Sequence, residues 1–122
     1  MIMLSLKDTR AFLEAAARRK RLVTYRDIAS VLEVSPPNAI HQVTVGLEFL
    51  MAEDAAAGRP FIAALAVSAT LGDMPRRGFF DCAARLGRFA GDPDGPDART
   101  FHADEVKAVF AQWSGSSGSS QP

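Results

Sequence analysis

The sequence is poor in the residues from which reactive sites are most often built. It has one cysteine, Cys82, in 122 residues. That excludes an internal disulfide and fits a reducing compartment, so a cytoplasmic protein is expected. Histidines number two. With Cys82 they leave His41, Cys82 and His102 as soft metal ligands, too few and too far apart for a four-ligand zinc site. No apolar run approaches the ~20 residues of a membrane span, so no membrane partner is expected. The opening MIMLSLKDTR is too short and wrongly flanked for a secretory signal. An excess of either charge is missing as well. Lys plus Arg is 14 and Asp plus Glu is 14, which excludes the bulk signature of a strongly basic nucleic-acid binder. There is no G-x-S-x-G elbow, Walker loop, dinucleotide fingerprint or EF-hand loop. Asp92, Asp94 and Asp97 alternate with Pro and Gly but lack the bidentate Glu of a calcium loop, so they read as a solvated turn. No metal and no cofactor is expected, and no catalytic residue is assigned.

What the chain does have is a core. Leu, Ile, Val and Phe together number 30, beside 21 alanines. That suffices for one compact domain, taken as residues 1–113. The last nine residues, SGSSGSSQP, have nothing to bury and are expected to be a flexible Gly/Ser tail, 114–122.

Periodicity predicts a mainly α domain. A first helix fits residues 6–20, with Ser5 and Asp8 as a capping pair and Leu6, Phe12, Leu13, Ala16 and Ala17 on one face. Thr24 opens a second helix with Asp27 at the capping-box position. Ser35 and Pro36 are expected to start a third, which runs to Ala57 and stops at Gly58. Phe61–Ala69 reads as a strand and Gly72–Gly78 as a loop. Phe79–Phe89 and His102–Trp113 read as the last two helices. A lone strand needs a partner, either near Leu22-Val23 or after Gly72. The expected architecture is a helix-turn-helix with a short β-wing, winged-helix-like, followed by C-terminal helices.

The segment Val23-Thr24-Tyr25-Arg26-Asp27-Ile28-Ala29 resembles the start of the helix-turn-helix in the alkylguanine-DNA alkyltransferases and the alkyltransferase-like proteins, which carry Thr-Tyr-Gly-Glu-Ile-Ala there. The likeness continues through a Ser-Pro turn, Asn38-Ala39-Ile40-His41-Gln42, a strand, and Gly78-Phe79 as a glycine before an aromatic. It covers about residues 22–90. It implies that Tyr25 stands where the family's tyrosine contacts the DNA backbone and helps rotate a nucleotide out. Asn38 is the nearest match to the family's intercalating arginine, and is too short for that task. The reactive Pro-Cys-His-Arg-Val, with Trp or Ala for Cys in the alkyltransferase-like proteins, falls on Ala63-Ala64-Leu65-Ala66-Val67. Nucleophile, histidine and arginine are all absent, and alkyl transfer needs an activated thiolate. A chemically silent scaffold is expected.

Cys82 has no motif around it and reads as a small buried hydrophobe, its pKa raised by neighbouring Asp81. Trp113 reads as the anchor of the last helix.

Charge is unevenly distributed. Residues 1–30 carry seven basic and three acidic groups, and 61–90 four and two, while 31–60 and 91–122 are acidic. Arg outnumbers Lys 11 to 3, and Arg suits bidentate phosphate contacts. The leading expectation is a non-enzymatic nucleic-acid-binding module of low sequence specificity. Arg18, Arg19, Arg21, Tyr25 and Arg26 would meet phosphates, Asn38, His41 and Gln42 would face bases, and Arg76 and Arg77 would act in the wing. The third helix turns acidic at Glu48, Glu53 and Asp54, which would repel DNA. The alternative is a protein-interaction or regulatory adaptor on the same scaffold that has lost DNA binding, with Phe79, Phe80 and Trp113 as contacts. It predicts a contiguous exposed apolar patch.

Overall fold

The computed structural model describes the backbone of residues 4–119 and the side chains of residues 4–113. The chain runs α1 (Leu6–Arg18), β1 (Val23–Thr24), α2 (Tyr25–Val31), α3 (Ala39–Ala57), a 3-10 turn (Ile62–Leu65), β2 (Ala66–Val67), a second 3-10 turn (Ala69–Leu71), α4 (Arg77–Arg85) and α5 (Pro96–Ser119). It is mainly helical, with a small two-stranded parallel sheet. The part of the expected tail from residue 120 onward, and the side chains from 114, lie outside the described residues.

Local chemistry explains where the first helices begin. Ser5 Oγ accepts from the Asp8 amide at 3.1 Å and caps α1. Thr24 and Asp27 form a complete capping box at α2, with bonds of 2.9 and 3.1 Å. Gly58 closes α3 in the left-handed region (φ 71°), where a residue without Cβ is unstrained.

Other boundaries differ from the sequence reading. α3 does not begin at Ser35-Pro36. Pro37 biases the residue before it away from the α region, so Ser35-Pro36-Pro37 forms a bend and the helix starts after Asn38, itself left-handed at φ 63°. Phe61–Ala69 is not one strand. Its four alanines have no branched side chains to favour a pleated surface, and only Ala66–Val67 is extended between the two 3-10 turns. The strand partner is Val23–Thr24, in parallel, with Val23 opposite Ala66 and Thr24 opposite Val67. After Gly72 there is one antiparallel bridge, Ser68 to Met74. α4 starts at Arg77 and ends near Gly87, which takes a left-handed φ of 79°. α5 starts at Pro96 rather than His102, because proline is well suited to the first helical position.

The 3-10 turn Ile62–Leu65 lies at the centre of the core. All four of its residues are buried, and α1, α3 and α5 all pack on it. Small side chains at Ala63 and Ala64 let three helices close around one turn. On the α4–α5 side, Phe61, Phe79, Phe80, Phe89 and Phe101 form a chain of edge and tilted ring contacts, with centroids 5.1–6.5 Å apart.

This turn is held by a polar network that the sequence does not advertise. Asp54, 1% exposed, is buried at the end of α3. Its Oδ1 accepts from Arg10 of α1 and from Arg59 Nε, each at 3.0 Å, and its Oδ2 accepts from the Ile62 amide at 3.0 Å. Arg10 also reaches Glu53 at 3.0 Å. Burial alone would lower the Arg10 pKa, but the two carboxylates outweigh it and hold it raised. Arg88 donates to the Asp54 and Arg59 carbonyls (3.3 and 2.7 Å) and lies over the Phe61 ring. Glu105 of α5 accepts from the Phe61 amide at 2.8 Å.

Removing one member of a buried ion pair leaves the others uncompensated, at a cost of about 3–5 kcal/mol. Asp54→Ala should therefore lose about that much in chemical denaturation, whereas Glu53→Ala, at an exposed pair, should lose at most about 1 kcal/mol. Equal losses would mean that the network does not act through Asp54.

Candidate functional site

The structure distributes the ten residues assigned to nucleic-acid contact over the end of α1, the surroundings of Tyr25 and the start of α3. α1 and α3 run in the same direction where they touch. Leu4 and Leu6, at the start of α1, lie against Gly46, while Arg10 reaches Leu50 and Asp54 further along. The basic end of α1 thus lies beyond Asp54, and Asn38, His41 and Gln42 lie roughly three to four turns before it. Arg18 points to α5: its guanidinium is 5.5 Å from the Trp113 ring centroid and 4.0 Å from Glu14. Arg19 and Arg21, both exposed, follow on the same end of α1.

A second group forms around Tyr25. Its ring is buried, and its hydroxyl accepts from the Arg76 amide at 2.8 Å. The Arg76 guanidinium lies 5.8 Å from the same ring centroid. Burial pushes the Tyr25 pKa up, against the pull of the Arg76 amide and charge. This links the start of α2 to the segment before α4, and Arg26, next in sequence, is exposed. Arg77 points elsewhere, to Asp94 at 2.8 Å and Asp81 at 3.8 Å.

The third group lies on α3. Asn38, His41 and Gln42 line an apolar groove of about 690 Å³ with Leu4, Leu6, Ser35, Pro36, Pro37, Val45, Gly46 and Phe49. Val45 is 40% and Phe49 58% exposed. Leu4 sits so closely on Gly46 that a Cβ there would meet its side chain. The Gln42 amide nitrogen donates to the Ser35 and Pro37 carbonyls at 3.1 and 3.2 Å, which pins the bend to the helix. Its Oε1 is buried without a partner, alone among the buried side-chain polar atoms of the described residues. None of the eleven lining residues is an acid, a lysine or an arginine. The sequence reading assigned Asn38, His41 and Gln42 to bases and did not single out Val45 and Phe49. Their i, i+4 spacing with His41 was the available signal.

The stretch aligned with the alkyltransferase reactive motif is closed. Ala63, Ala64, Leu65 and Ala66 are buried, and His102 Nε2 donates to the Ala64 carbonyl at 2.9 Å from α5. Cys82 is buried on α4. Burial and then Glu48, rather than Asp81, push its thiol pKa up, against Arg85. Of Phe79, Phe80 and Trp113, expected as adaptor contacts, the first two are buried and Trp113 is half-buried. Among the described residues no group of three or more His, Cys, Asp or Glu is placed to hold a metal ion. No helix among them is long and apolar enough to cross a membrane.

Comparison with protein-family models, curated proteins and solved structures gave no match to this chain.

His102 gives a pH signature for the closed stretch. Burial lowers its pKa, and the bond to the Ala64 carbonyl opposes this only in part. The unfolded chain therefore binds more protons than the folded one below the ordinary histidine value of about 6.5. Its contribution to stability is complete above that pH and is lost as pH falls toward the lowered folded value, at up to about 1.4 kcal/mol per pH unit. Thermal unfolding between pH 7.5 and about 5 should show this slope. His102→Gln, which keeps a donor but does not titrate, should flatten it. An unchanged slope would place the titration elsewhere.

Proposed function

We propose that the chain is a non-enzymatic binding module, winged-helix-like in arrangement, that docks a protein partner through the outer face of α3. In this reading the parallel pair and the Ser68–Met74 loop take the place of the wing. The observation that carries it is the uncharged apolar groove from Pro36 to Phe49, with two large hydrophobic side chains exposed on a helix whose opposite face already fills the core. A helix that is apolar on both sides of its axis is normally covered on both. The closed, side-chain-poor turn at Ala63-Ala64 supports a scaffold without group-transfer chemistry.

A second reading, nucleic-acid binding of low specificity, draws on the Tyr25–Arg76 contact and the exposed Arg26 beside it in sequence. Its weakness is the division of the arginines between separate flanks and the lack of a cation on the α3 face.

One paired titration separates the two readings. Nile red, a neutral probe of apolar surface, and a labelled DNA duplex are each titrated with the protein, the duplex across a salt series. Docking through α3 predicts that Nile red fluorescence rises and that Phe49→Glu removes the rise. It also predicts duplex affinity no tighter than the non-specific range of about 10⁻⁴–10⁻⁶ M at physiological salt. Tighter, steeply salt-dependent duplex binding that is lost when Arg26 and Arg76 are changed to Ala would reverse the order of the two readings.

A further inference from the structure

We propose that the α3 groove is filled in cis by Met1-Ile2-Met3, the three residues that precede the described ones, and that a partner docking there has to displace them. This rests on the docking reading above and adds its regulation. Three observations carry it.

The first is the anchor. Leu4 is itself part of the groove wall. It packs on Gly46 so closely that a Cβ at that position would meet its side chain. A glycine inside a helix is destabilising relative to alanine, and here it opens the space that Leu4 takes. The chain therefore enters the fold from within the groove. Met3 is one peptide unit, about 3.8 Å between Cα atoms, from a residue already seated there.

The second is direction and reach. α1 advances along α3 in the same sense, with Leu4 and Leu6 at Gly46 and Arg10 at the Leu50 carbonyl and Asp54. Ser5, between Leu4 and the helix, is extended (φ −75°, ψ 116°). Continued backward past Leu4, the same line runs toward the start of α3, where Pro36, Pro37, Asn38 and His41 complete the wall. Three extended residues span about 10 Å. The stretch of α3 from Gly46 back to Asn38 spans about 12 Å. The segment is thus long enough to cross the groove from Gly46 almost to the bend at Pro37.

The third is chemistry. Met1 to Leu4 form an unbroken apolar run without a charged side chain. Such a run is seldom left in water. The wall that begins at Leu4 has no acidic side chain, lysine or arginine and exposes Val45 and Phe49. Methionine, unbranched and adaptable, suits an irregular apolar surface. What selects this segment over other apolar chains is its tether. A short link holds it at an effective concentration of about millimolar, and a free partner has to outcompete that. The apparent affinity of the groove then falls with the fraction of time it stands open.

Nile red, titrated with the full chain and with full-length Ile2→Ser/Met3→Ser, tests this, with folding of both checked by circular dichroism. The variant should reach half-saturation at a concentration at least about threefold lower, the shift given by a groove closed two-thirds of the time. Phe49→Glu should abolish the response in both. An equal response overturns the cis occupant and leaves the docking reading standing. A weaker response in the variant makes the segment part of the binding surface and overturns it as well. No Phe49-dependent response in either protein removes both readings. Position is tested in a Cys82→Ala background. Ile2→Cys/His41→Cys should form an internal disulfide under mild oxidation faster than Ile2→Cys/Lys7→Cys, since Lys7 is exposed on α1 outside the groove wall. Equal rates mean that the segment swings free of α3, and overturn the proposal.

Discussion

A single buried carboxylate organises this fold. Asp54 sits where α3 ends, and its two oxygens meet α1, the following loop and the first amide of the central 3-10 turn. Such a charge is seldom favoured for stability alone, since its desolvation offsets most of the attraction it gains. What it supplies is position. The Ile62 amide belongs to a segment too short to satisfy its own backbone groups, and a buried donor must find an acceptor. Asp54 provides it and thereby fixes the direction of the chain as it enters the core. Arg88, just past α4, and Glu105 of α5 do the same for the preceding residues. The Phe61–Leu65 segment is held by polar bonds at its entry and by packing from α1, α3 and α5 beyond it.

That arrangement accounts for the uneven legibility of the sequence. α1 and α2 could be read because their signals are local: Ser5, and Thr24 with Asp27, cap the helices within three residues of themselves. The termination of α3 at Gly58 is equally local. The Phe61–Ala69 segment is different. Its apolar run is compatible with either a strand or a buried turn, and the choice is made by α1, α3 and α5, none of which adjoins it in sequence. Asp54 was hidden for the same reason. In Glu53-Asp54 two acids look alike, yet one is on the surface and the other in the core, a difference set by Arg10, 44 residues away. The early start of α5 was legible in Pro96, whose fixed φ suits a first helical position.

The functional residues show the limit of linear charge clusters. Arg18-Arg19-Lys20-Arg21 and Arg76-Arg77 look like two halves of a phosphate-binding face in sequence. In the fold, Arg18 stacks on Trp113, Arg76 on Tyr25, and Arg77 pairs with Asp94. A cation already engaged by a ring or a carboxylate must be released before it can neutralise a phosphate. The net attraction is therefore smaller than the count of arginines implies. The resemblance to the alkyltransferases rests on residues 22–90 and includes Tyr25, but the Tyr25 hydroxyl here is committed to the Arg76 amide. Its bond joins two parts of the scaffold.

The same reasoning gives weight to the α3 face. α1 and α5 turn buried apolar residues toward the Ile62–Leu65 turn, while α2 packs on α3 and leaves Val31 57% exposed at its end. α3 carries Val43, Leu47 and Leu50 inward and two neighbouring large side chains, Val45 and Phe49, outward. Folding of the domain leaves much of the outward pair in water, and exposed aromatic side chains raise the risk of non-specific association. The groove is also the place where Leu4 packs on Gly46 and where the Gln42 amide fastens the Ser35–Pro37 bend. Leu6, which lines it, also packs against the core. On the docking reading, a surface held in shape by its own hydrogen bonds, apolar and without charge, would need little further ordering when a partner arrives.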